Sequence, residues 1–114
     1  MSATPKLTAP VTRVMDLLVT SARSGEQMWG LRVCECAGLG PGTVYPVLQR
    51  LQRAGRVTSY MERAKPSGRP PRRYYEVTAT GRTEYAVART AQRARLARWV
   101  SAPGMNLDLG KGNK

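Results

Sequence analysis

Histidine and phenylalanine are missing from this chain of 114 residues, cysteine occurs twice, and acidic residues number 7 against 19 lysines and arginines. Without histidine there is no side chain that ordinarily shuttles protons at neutral pH, and no imidazole to ligate a metal. Cys34 and Cys36 stand one residue apart, poor geometry for a mutual disulfide and half of what a tetrahedral zinc site requires. Reduced thiols are expected, with no metal and no cofactor. No paired carboxylates accompany a nucleophile. Gly38, Gly40 and Gly42 alternate, but no strand precedes them and no acidic residue follows at the distance a dinucleotide-binding loop needs, so catalysis is not expected. Long apolar runs are lacking too: no window approaches the ~20 apolar residues of a spanning helix, and the start has no signal-peptide core. A cytoplasmic protein without a membrane partner is expected. The absence of phenylalanine also weighs against an RNA-binding sheet, which stacks bases on several exposed aromatics.

What the chain has in excess is positive charge, +12 at neutral pH. Such a surface repels itself, and a polyanion would relieve the repulsion. Charge alone does not separate DNA, RNA and acidic lipid. The length suits one compact core with an appended helix.

Along the chain, Met1 to Leu7 reads as a loose arm, after which Thr8 can cap a helix that tolerates Pro10 in its first turn. Val11, Val14, Met15, Leu18 and Ala22 then follow at helical spacing as one buried stripe. Ser24-Gly25-Glu26 breaks that helix. A short second helix, Leu31 to Ala37, ends at Gly38. Leu39-Gly40-Pro41-Gly42 is a tight connection into a third helix, which runs to Ala54 and closes at Gly55. Because proline is tolerated in a first turn, Pro46 places the start of that helix at about Gly42 or Thr43.

Two strand-forming runs follow, Val57 to Arg63 and Arg72 to Thr78, around a basic, proline-stiffened loop. Tyr75 and Val77 should face the core and Tyr74 outward. From Thr78 a last helix runs toward Val100, and the remainder reads as a flexible tail. The fold class expected is mainly α with a small β-hairpin: a winged helix-turn-helix at residues 8–78, a C-terminal dimerisation helix at 79–100, and flexible termini at 1–7 and 101–114.

The third helix carries the chemistry. Val44, Val47, Leu48 and Leu51 share one face at ~100° per residue, and the opposite face presents Tyr45, Pro46, Gln49, Arg50 and Arg53. Arginine offers paired donors to guanine and glutamine can pair with adenine, so this face suits a major groove. Thr43 and the helix amino end suit a phosphate. Lys65, Arg69, Arg72 and Arg73 crowd onto the hairpin, where they can lie along phosphates or enter a minor groove. On the last helix, Tyr85, Ala88, Gln92, Leu96 and Trp99 form a stripe too narrow for burial in one small domain, and a second copy would cover it. A solvated charged surface, or an architectural protein that coats nucleic acid without reading it, is the competing account; Arg82, Arg89, Arg93, Arg95 and Arg98 favour the latter.

Three stretches resemble the PadR-like family of bacterial transcriptional regulators: Trp29-Gly30-Leu31-Arg32-Val33, then Gly42-Thr43-Val44-Tyr45-Pro46-Val47-Leu48-Gln49-Arg50-Leu51, then Arg72-Arg73-Tyr74-Tyr75-Glu76-Val77-Thr78-Ala79-Thr80-Gly81-Arg82. The resemblance implies a homodimer joined mainly through the last helix, with help from the first, and bound as a repressor to an inverted-repeat operator on double-stranded DNA. It also implies release by a small aromatic or hydrophobic effector, for which Trp99 is the candidate stacking residue. Trp29 and Leu31 depart from the family, where aromatic residues often flank that glycine.

Overall fold

The computed structural model describes residues 7–63 and 68–101. Four helices and three short strands follow one another: α1 (Ala9–Ser24), β1 (Met28–Trp29), α2 (Gly30–Ala37), α3 (Pro41–Arg53), β2 (Val57–Met61), β3 (Arg73–Val77) and α4 (Ala79–Ser101). The strands form one antiparallel sheet in the order β1-β3-β2. The fold is thus mainly helical with a small sheet, as expected, but the hairpin has gained a third strand. Met28 pairs with Tyr75 and Trp29 with Tyr74.

Local chemistry accounts for most boundaries. Thr8 Oγ1 accepts from the Val11 amide at 3.4 Å and Pro10 sits in the first turn of α1, where amides lack intrahelical partners. Between α2 and α3 the chain reverses at Gly38, whose φ of 69° lies in the left-handed region, which a residue without a β-carbon enters at no steric cost. Its amide closes α2 on the Cys34 carbonyl at 2.9 Å. Thr78 Oγ1 accepts from the Gly81 amide at 2.9 Å and so opens α4.

One core joins these elements. Val11, Val14, Met15 and Leu18 of α1 meet Val33 and Cys34 of α2, Val44, Val47, Leu48 and Leu51 of α3, and Val57, Tyr75 and Val77 of the sheet. Burying each such side chain is worth roughly 1.5–3 kcal/mol, and this packing holds α3 by its underside. Burial raises the Cys34 thiol above its ordinary pKa, while Cys36 is exposed and unbonded.

Several expectations require correction. Leu7 packs against the core rather than belonging to a loose arm. Ala22 is exposed, and the stripe of α1 ends instead on buried Ser21, whose hydroxyl donates to the Leu18 carbonyl. Helix α3 begins at Pro41, not at Gly42 or Thr43; proline at a first helical position has no amide to lose. Pro46 therefore lies one or two residues deeper than expected, past the first turn, and withholds a backbone donor from the ladder.

Tyr85, expected in a dimer interface, is buried in the core of its own chain. Its hydroxyl donates to Asp16 Oδ1 at 2.5 Å and lies 3.2 Å from the Thr12 carbonyl oxygen, pinning α4 to α1. Burial first, then the Asp16 carboxylate, pushes this phenol well above its ordinary pKa. Ala88 is half-buried, and Gln92 donates to the Leu7 carbonyl at 3.3 Å while accepting from Arg89 at 2.7 Å. The proximal part of the expected interface is thus spent inside the chain. Leu96 and Trp99 remain open, 58% and 52% exposed.

Candidate nucleic-acid interface

Helix α3 separates its two faces as the spacing predicts. Val44, Val47, Leu48 and Leu51 are each at most 2% exposed, whereas Thr43, Tyr45, Pro46, Gln49, Arg50 and Arg53 are all exposed. Thr43 contributes less to an anion site than expected, because its amide and that of Val44 both donate to the Gly40 carbonyl at 3.0 Å. Its hydroxyl is what remains.

Tyr45 has a seat that sequence reasoning missed. A β-carbon built on Gly30 would overlap the Tyr45 ring and hydroxyl, so the bare backbone at the start of α2 admits the phenol. The residue remains 40% exposed, and it lines a groove with Pro46, Gln49, Gln52, Arg73 and Tyr75 of about 430 Å³. This groove runs between α3 and the sheet. The spacing of Tyr45, Gln49 and Gln52, four and then three residues, could have placed Gln52 on the same side of the helix.

The hairpin is more occupied than its charge suggests. Tyr74, expected to look outward, does lie on the sheet face opposite Tyr75, yet it is only 4% exposed. The reason is a second layer: Trp29 meets its ring edge-on at 6.0 Å and Tyr60 lies over it at 5.5 Å. Its hydroxyl donates to Glu62 Oε2 at 2.7 Å. Glu62 also accepts from the Arg72 amide at 3.3 Å and pairs with Arg69 at 2.9 Å. The Tyr74 hydrogen bond above all, helped by the Arg72 amide and by Arg69, holds the Glu62 carboxyl below its ordinary pKa. The same bond raises the Tyr74 phenol.

Of the four basic residues expected on the hairpin, Lys65 lies outside the described residues. Arg69 is paired with Glu62, and the Arg72 guanidinium is stacked 4.0 Å from the Trp29 ring centre. Arg73 is exposed and, among the described residues, donates to the Ser59 hydroxyl at 3.1 Å. Register explains the division. Arg73 pairs with Met61, Tyr75 with Ser59 and Val77 with Val57, so the face that closes the core at Val57 and Val77 continues outward as Ser59 and Arg73. Arg73 therefore shares the groove beside α3. Glu62 and Ser59 were missed because neither type of residue signals a partner until pairing is known.

A family model described as the transcriptional regulator PadR-like family matches residues 31–87, which takes in α2 from its second residue, α3, strands β2 and β3 and the start of α4. The chain belongs to the PadR-like family. The PadR-like segment thus contains both the exposed face of α3 and the hairpin beside it. Solved structures agree in fold. The transcriptional regulator PA4135 is 22% identical with a TM-score of 0.60, over 86% of this chain and 66% of its own. A PadR family transcription regulator from Clostridium difficile is 23% identical with a TM-score of 0.58, over 73% and 91%. A PadR-like transcription factor from Bacteroides fragilis is 22% identical with a TM-score of 0.59, over 76% and 82%. This PadR-like chain spans just under two thirds of the first of these structures. No curated protein sequence matches it. Among the described residues no helix is long and apolar enough to cross a membrane, and no three potential metal ligands come together.

Proposed function

We propose that the protein is a sequence-specific repressor that binds an inverted-repeat operator as a homodimer. The observation that carries this reading is the division of α3: an apolar underside locked into the core and an outer face of Tyr45, Pro46, Gln49, Arg50 and Arg53 standing free beside a basic hairpin. Gln49 and Arg50 have the donor and acceptor sets that read base edges, and a helix held by its underside presents them at a defined depth. Arg73 and Thr43 approach the sugar-phosphate backbone, with Arg69 and Arg72 shaping the hairpin that carries it.

Leu96 and Trp99 are the centre of the dimer contact, since they are the large apolar groups left uncovered on their stripe of α4. A groove of about 730 Å³ between α1 and α4, lined by Leu7, Arg13, Leu96 and Trp99 among others, supports a small aromatic or hydrophobic effector stacking on Trp99.

The test is selection of bound fragments from the source genome, followed by titration of Arg50→Ala against the selected site and a scrambled duplex. Loss of roughly 1–3 kcal/mol on the selected site alone is expected if Arg50 reads a guanine. Equal loss on both duplexes overturns base reading and favours the architectural account.

A further inference from the structure

Beside the groove between α3 and the sheet, and bonded to two of its lining residues, is the half-exposed hydroxyl of Ser59. Ser59 Oγ lies 3.0 Å from Gln52 Nε2 and 3.1 Å from Arg73 Nη1, and both of these are donors. A serine oxygen has two lone pairs, and here both are engaged, so the one remaining capacity of Ser59 is to donate its own proton. Among the described residues nothing accepts it. The groove lining of Tyr45, Pro46, Gln49, Gln52, Arg73 and Tyr75 holds no carboxylate that could. A hydroxyl that accepts from a guanidinium is polarised toward giving up its proton, and Arg73 keeps further N–H groups for the same ligand. The three residues come from three elements: Gln52 from α3, Ser59 from β2 and Arg73 from β3.

We infer that Gln52, Ser59 and Arg73 form a clamp for one backbone phosphate of duplex DNA, seated between the reading helix and the hairpin rather than at the hairpin tip. Ser59 donates to one phosphate oxygen and Arg73 to the same or the adjoining one. Gln52 is a positioning residue: it holds the Ser59 oxygen so that its proton points outward. Because the clamp ties α3 to the sheet, the bound phosphate also fixes the depth at which Gln49 and Arg50 meet the bases. This inference rests on the DNA-binding reading above.

A backbone contact is independent of sequence, so a short mixed-sequence duplex titrated with the full chain over a range of salt concentrations is the probe. Arg73→Ala should lower the salt slope by about one, the value for a single lost phosphate. Ser59→Ala should weaken binding roughly tenfold, as for loss of a hydrogen bond to a charged group. The double variant should be no weaker than Arg73→Ala, because the two act on one phosphate, and Ser59→Thr should restore wild-type binding. Gln52→Leu should weaken wild type but leave Ser59→Ala unchanged, an outcome that a general structural role for Gln52 does not produce. Additive losses, or a Ser59→Ala variant that binds as wild type, overturn the clamp. If those results accompany an Arg50-dependent preference for the selected operator, the clamp alone fails. If the wild type shows no salt-dependent binding to any duplex, the DNA-binding reading falls with it.

Discussion

Tyr45 occupies the space that a β-carbon at Gly30 would fill. The aromatic residue at the start of the exposed face of α3 is therefore set by the absence of a side chain on the preceding helix. The colliding atoms are the far end of the phenol, which can swing aside. Gly30→Ala should accordingly leave the melting temperature almost unchanged, with ~0.5–1.5 kcal/mol for a strained rotamer offset by better helix propensity. DNA affinity should fall. In a Tyr45→Ala background the same change should have no further effect on binding, measured by fluorescence anisotropy; an independent loss there would show that Gly30 acts some other way.

Tyr85 predicts an alkaline weakness. Its folded pKa is raised, by burial and by Asp16, above the ordinary value of 10.0. Between those two values the unfolded chain has lost the proton and the folded chain keeps it, so stability is whole below pH ~10 and declines as pH climbs through the folded value. Denaturant unfolding at pH 8 and at pH ~11 should show this decline, and Tyr85→Phe should make it shallower. Tyr74 and Tyr75 are shifted the same way, so the slope should not vanish. At pH 8 the variant should lose roughly 1–3 kcal/mol with the hydrogen bond to a carboxylate.

Glu62 predicts the opposite limb. Its folded pKa is lowered by Tyr74, the Arg72 amide and Arg69, so its contribution is present above its ordinary value of 4.5 and is lost as pH falls through the folded value. Glu62→Ala should speed hydrogen exchange at the Arg72 amide at neutral pH while the amides of α1 and α3 keep their protection. Unchanged exchange at Arg72 would show that the strand pairing alone holds the hairpin.

The proposed dimer should respond to salt in the opposite sense from DNA binding. Arg13, Arg89, Arg93 and Arg95 line the same groove as Leu96 and Trp99, and a two-fold contact brings like charges from both copies together. Screening relieves that repulsion, so sedimentation should show tighter association at high salt even as DNA is released. Trp99→Ala should weaken association by roughly 2 kcal/mol or more, as aromatic anchors do. Association that weakens with salt would place the contact elsewhere.

Four helices were legible in the residues because helical burial repeats along a single segment, and threonine, proline and glycine mark where each segment starts or stops. The division of α3 into a buried and an exposed face needed nothing beyond the spacing of Val44, Val47, Leu48 and Leu51. Strand β1 was not legible: two residues carry no periodicity, and Met28 and Trp29 extend only because β3 offers them an edge. Tyr74 was misread for the same reason, since alternation names the face of a strand but not what lies over it, and Trp29 and Tyr60 arrive from other strands.

The exposed face of α3 is local, written in the order of residues along one helix, and so the sequence alone determined it, together with the basic charge and the order of elements that makes a winged helix-turn-helix. Which cations of the hairpin stay open was decided by the tertiary structure, because Arg69, Arg72 and Arg73 differ only in the neighbours that strand register gives them: a carboxylate, an indole ring and a serine hydroxyl. The same holds for Tyr85, whose place in the stripe of α4 left its partner open until α1 packed against it. A side chain's spacing selects its face, and only the chain folded back upon itself selects what that face meets.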